Sequence, residues 1–142
     1  KLYEDYFEEL KKVKSAIANY KRVKDIIEMQ VAMVNEYKGA WTLFRQDKNF
    51  TPDELEYMLN IYTGMMDESM KNIDQLFMVV NAFATQMADA KRLVIINGVA
   101  DNVQQQLLDM KEFNSQNKML SLQRASEKGE IEYVKRLYGL GK

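Results

Sequence analysis

"NFTPDEL", residues 49–55, holds the only proline of this 142-residue chain, Pro52. Every position of the stretch favours the start of a helix. Thr51 suits the N-cap, where a side-chain oxygen accepts a hydrogen bond from an otherwise unpaired backbone N–H. Pro52 falls at the first helical position, where its missing N–H costs nothing and its fixed φ fits. Glu54, three residues after Thr51, completes a capping box, and Phe50 and Leu55 stand at the spacing of a hydrophobic staple. Asp53 and Glu54 put negative charge at the positive end of the helix dipole. A cap of this kind stabilises a helix by about 1–2 kcal/mol. The stretch predicts a corner between two helices.

Outward from that corner the chain reads as helix nearly everywhere. Over 3–47, Tyr3, Tyr6, Leu10, Val13, Ile17, Tyr20, Ile27, Val31, Val34 and Trp41 recur in steps of three and four. Lys24 and Lys38 interrupt this seam, with Val23 and Tyr37 beside them to cover it. The spacing is that of a helix packed at a shallow angle on a neighbour. "RQDKN" (45–49) supplies the loop. From Pro52 to about Ala84, Leu55, Leu59, Tyr62, Met65, Met66, Ile73, Leu76, Phe77, Val80 and Phe83 cover about half of a helical wheel. So broad an apolar face predicts a helix with two neighbours, lying centrally.

"ATQMADAKR" (84–92) holds two weaker cap candidates, Thr85 and Asp89, neither with a full box. A third helix is expected over about 90–126, with Ile96, Val99, Val103, Leu107, Met110 and Phe113 on its seam. β-Branching in "LVII" (93–96) hints at a strand. The helical period that continues for some thirty residues beyond it outweighs the hint. "SEKGE" (126–130) turns at Gly129, and Ile131, Val134, Leu137 and Tyr138 make a short helix over 130–138. The expected fold is all-α and a single domain: three long antiparallel helices in an elongated bundle plus a short C-terminal helix.

Composition agrees. Hydrophobic residues make up 46% and charged residues 29%, which opposes disorder. One proline and six glycines are too few for a turn-rich β fold. Twenty basic and twenty-one acidic residues leave a net charge of −1, so no global field draws in nucleic acid or an anionic membrane. No segment approaches the ~20 continuous apolar residues that span a bilayer. The chain opens on Lys1 rather than Met, which leaves room for a removed export signal or anchor upstream. The lack of cysteine fits an oxidising compartment, although many cytosolic proteins share it.

Histidine is absent as well, which excludes Ser-His-Asp and Cys-His arrangements. The Glu-x-x-His pairs of di-iron bundles and Cys/His zinc sites are excluded too. The acids of the second helix (Asp53, Glu56, Asp67, Glu68, Asp74) fall opposite its apolar arc, as a solvated face requires. "YGLGK" (138–142) lacks the spacing of a phosphate loop. No catalytic, cofactor or metal residue is expected.

Three features can carry binding. Lys11, Lys12, Lys14, Lys21, Arg22 and Lys24 occupy 11–24 without one acid. Solvation explains such a face, and contact with an acidic partner, phosphate or lipid surface is the sharper reading. Met58, Met65, Met66 and Met70 lie in the apolar arc of the second helix, as core or as a pliable docking groove. Val94, Leu108 and Met119 fall off the seam of the third helix. They are expected to receive the short last helix, with a partner surface as the alternative.

The stretch "QDKNFTPDEL" (46–55), with "VVN" at 79–81 and "GEIEYVKRLYG" at 129–139, resembles the TrbJ-like transfer proteins of conjugative transposons. The likeness covers roughly 37–139 and includes the order of helices. It implies an exported, non-enzymatic helical component of a type IV secretion apparatus, similar in character to the minor pilus component of VirB-type systems. Its implied place is the periplasm or cell envelope, and its implied partners are other transfer-apparatus proteins. A homo-oligomer is open. Direct nucleic-acid contact is not implied, and membrane association comes only through partners or a removed N-terminal segment. The family brings no catalytic motif and no cofactor. The competing reading is a cytoplasmic helical adaptor or chaperone that uses its Met-rich face, with an enzyme third.

Overall fold

The computed structural model describes residues 4–8, 21–81 and 89–140, without the side chains of 80, 81, 89 and 90. A helical segment at 4–8 precedes four helices: α1 (Lys21–Phe44), α2 (Pro52–Asn81), α3 (Asp89–Lys128) and α4 (Ile131–Leu137). No strand occurs among the described residues, and "LVII" is helical. The expected all-α bundle of three long helices and a short fourth is the architecture found. α2 runs antiparallel to α1, as the pairs Gln30–Ser69 and Tyr37–Tyr62 show, and to α3, as Asn72–Gln106 and Tyr62–Asn114 show. Residues 9–20, with Leu10, Val13, Ile17 and Tyr20 of the first seam, lie outside the described residues.

α1 ends at Phe44, three residues before the expected boundary, because the chain turns at Arg45–Gln46. Among the described residues the central position falls to α3 instead of α2: α3 packs along both other long helices, and the α1–α2 contact is lighter. Part of the wide apolar arc of α2 accounts for the difference. Leu59 is exposed instead of meeting a second neighbour. Met58 and Met66 are buried, and Met65 and Met70 pack half-buried against the core. Met58 and Met66 are therefore core, while Met65 and Met70 each border a separate surface hollow, so the four do not line one common groove among the described residues.

Aromatic rings fill the middle of the bundle. Tyr62 of α2 meets Tyr37, Trp41 and Phe113, with ring centroids 5.0, 6.2 and 5.2 Å away. Such tilted and edge-on contacts suit the ring quadrupole. Polar pairs interrupt the apolar seam. The Tyr62 hydroxyl donates to Asn114, whose amide donates to Glu36 at 3.0 Å. Towards the other end Ser69 binds the Tyr6 hydroxyl at 2.8 Å and accepts from Gln30 at 3.2 Å. Asn72 donates to Gln106 at 2.9 Å.

Candidate docking surfaces and the Asp47 corner

The corner forms as its sequence requires. Glu54 N–H donates to Thr51 Oγ1 at 3.1 Å, and Thr51 N–H donates to Glu54 Oε1 at 2.9 Å, closing the capping box. Phe50 and Leu55 both join the core. Arg124 of α3 adds a two-pronged bond to Glu54 and donates to the Asn49 carbonyl at 2.8 Å. That guanidinium, together with the Thr51 N–H, holds the Glu54 carboxyl down to about 2 from its ordinary 4.5.

Asp47 is the hub. Only 2% of it is exposed. Its Oδ1 accepts the Asn49 N–H at 2.9 Å, folding the loop back on itself. Its Oδ2 accepts the hydroxyls of Ser121 on α3 and of Tyr138 just after α4, the latter at 2.7 Å. Asn49 donates to Ser121 at 3.2 Å. Each of these buried polar groups therefore has a partner, as desolvation demands.

α4 closes over this hub. α3 ends at Gly129 with φ 71°, where the Glu130 N–H donates to the Ala125 carbonyl and the Gly129 N–H to that of Ser126. This reversal needs the left-handed backbone that glycine adopts freely. Beyond it, Val134 is buried, Tyr138 packs on Phe44 at 5.9 Å, and Tyr133 donates to the Gln46 carbonyl at 3.3 Å. Lys48 pairs with Glu130 at 3.2 Å and stands 4.5 Å over the Tyr133 ring.

The expected docking residues divide. Val94, Leu108 and Met119 are 71%, 53% and 65% exposed, so the expectation that they receive the last helix is corrected. α4 turns back at Gly129 onto the corner and never reaches them. Val94 and Leu108 lie fourteen residues apart, a span of about 21 Å at helical rise, so the three form no continuous patch. Met119 borders an open hollow of about 760 Å³ whose lining comes wholly from α3.

Of the basic stretch, Lys11, Lys12 and Lys14 lie outside the described residues, while Lys21 and Lys24 are exposed. Arg22 is engaged: it faces Asp25 at 3.8 Å, Asp101 at 3.7 Å and Asn97 at 3.4 Å, linking α1 to α3.

The strongest proton-affinity shifts sit in packed groups. Burial pushes the hydroxyls of Tyr6, Tyr62 and Tyr138 upward, and Glu36 adds to the shift at Tyr62. Among the described residues no three acidic side chains are grouped to hold a metal, and no helix is long and apolar enough to cross a membrane. The chain matches no family model and no curated protein, and its fold matches no solved structure.

Sequence reasoning finds Thr51, Glu54 and the turn at Gly129, but misses Asp47 as a hub. The only available signal is Asp followed two residues later by Asn, the pattern of a side-chain-closed turn.

Proposed function

We propose that this chain is a non-enzymatic assembly component of a conjugative DNA-transfer apparatus of the type IV secretion kind, acting in the cell envelope by protein–protein docking. One observation carries the reading. The two long stretches of the TrbJ-like resemblance, 46–55 and 129–139, meet in space at the Asp47 corner through Tyr138, Tyr133 and the Lys48–Glu130 pair. Segments about eighty residues apart in this chain thus share one structural task, and the reading itself rests on their resemblance in sequence. The adaptor reading has less support, because two of the four methionines it needs, Met58 and Met66, are buried in the core.

The test uses donor cells of the natural host. Deleting the gene should abolish transfer of the element to recipients, and the full-length gene should restore it. Fractionation should place the protein in the envelope. Normal transfer by the deletion strain would refute the reading.

A further inference from the structure

We propose that α4 is exchanged between copies of this chain, the helix of one copy docking on the Asp47 corner of a second. The inference stands on the geometry of the corner and does not depend on the transfer-apparatus reading.

The fit of the occupant is visible within one copy. The corner takes α4 through the Tyr138–Asp47 hydrogen bond, the Tyr133 bond to the Gln46 carbonyl and the Lys48–Glu130 pair. A second copy presents the same groups in the same order, so its α4 satisfies the same partners. α4 has only seven residues. An isolated helix that short does not persist in water, so α4 needs a corner to fold on.

α4 reaches its own corner through a single reversal at Gly129. Its Glu130 cap makes no side-chain hydrogen bond. At the turn, the Glu130 N–H donates to the Ala125 carbonyl and the Gly129 N–H to that of Ser126. If Gly129 takes right-handed helical angles, the same two donors reach the carbonyls four residues back, those of Ser126 and Ala125. Opening the turn therefore sacrifices no backbone hydrogen bond. α3 and α4 then form one continuous helix that carries Tyr133, Val134 and Tyr138 away from their own corner. Two copies in this state each offer a helix and accept one, and a reciprocal pair restores the Tyr138, Tyr133 and Glu130 interactions at both corners.

The hinge is tested with Gly129→Ala, since a left-handed backbone disfavours an L-residue by about tenfold in population. The wild type should form a minor pair that grows with concentration. Gly129→Ala should raise the pairing constant at least about tenfold by light scattering, with the helical circular dichroism retained. The chain has no cysteine, so the point of contact can be read directly. A Lys48→Cys chain and an isotope-labelled Glu130→Cys chain are mixed and oxidised, and links between copies are identified by mass spectrometry. They should exceed several-fold those formed between Lys71→Cys and Glu130→Cys, Lys71 being an exposed lysine further along α2. The cross-link is also read with the wild-type hinge at high concentration, so a misfolded Gly129→Ala variant does not end the test. A chain that stays monomeric with cross-links at the control level overturns the proposal. A pair without 48–130 enrichment overturns it equally, because association then lies elsewhere.

Discussion

Arg124 grips both carboxylate oxygens of Glu54, at 2.8 and 2.7 Å, across seventy residues of sequence. Because Glu54 also closes the capping box, one carboxylate both starts α2 and ties it to α3. The double change Thr51→Ala and Glu54→Ala should lower stability by about 1–3 kcal/mol: about 1–2 from the box and at most about 1 from the pair. The pair is discounted because its side chains remain 31% and 34% exposed. An unchanged urea midpoint would contradict this account of the corner.

Acid should weaken the same link. A carboxyl held down to about 2 from 4.5 contributes stability that is complete above 4.5 and lost as pH falls towards 2. The advantage of the wild type over Glu54→Gln should shrink across that window, and it should be smaller throughout at high salt. Denaturant titrations at stepped pH measure it, and a constant gap would refute the link.

Asp47→Ala strips partners from the Asn49 N–H and from the Ser121 and Tyr138 hydroxyls at once. The expected loss is about 2–4 kcal/mol, as for breaking a buried hydrogen-bonded charge. Tyr138→Phe should cost only about 1 kcal/mol. Equal losses for the two variants would show that Asp47 is not the hub.

How much of this is legible in the sequence depends on range along the chain. Thr51 and Glu54 are three residues apart, so local chemistry is enough to read them. The arginine that completes their arrangement cannot be inferred, because nothing near Glu54 points to position 124. The seam of α3 can be traced as far as Phe113. Its later core positions are Asn114, Ser121 and Ala125, which carry little apolar signal. Val94, Leu108 and Met119 invite a covering helix because apolar residues favour burial. Their exposure follows from the direction of the chain after Gly129, a tertiary fact.

At alkaline pH the buried tyrosines should resist ionisation. Burial raises Tyr6, Tyr62 and Tyr138 above their ordinary 10.0. Their contribution to stability is complete below that value and is lost as pH rises beyond it. Absorbance titration should show three of the eight tyrosines ionising only as the helical signal collapses. Ionisation of all eight in an intact bundle would contradict the burial.

The outer surfaces should tolerate change. Val94→Lys, Leu108→Lys and Met119→Lys should each alter stability by less than about 0.5 kcal/mol. Reversing Lys11, Lys14 and Lys21 to Glu should also leave it nearly unchanged while weakening recovery of an acidic partner from envelope extracts at low salt. A large loss of stability would mean that the lysines pair within the bundle. Identical partner recovery would move docking to the exposed face of α3.

The polar pairs along the bundle also act as notches. A slide of α2 by one helical turn, about 5.4 Å, would part Ser69 from Gln30, Tyr62 from Asn114 and Asn72 from Gln106 in a single stroke. Tension along the bundle axis therefore meets shear resistance distributed over several turns, instead of a seam that unzips one residue at a time.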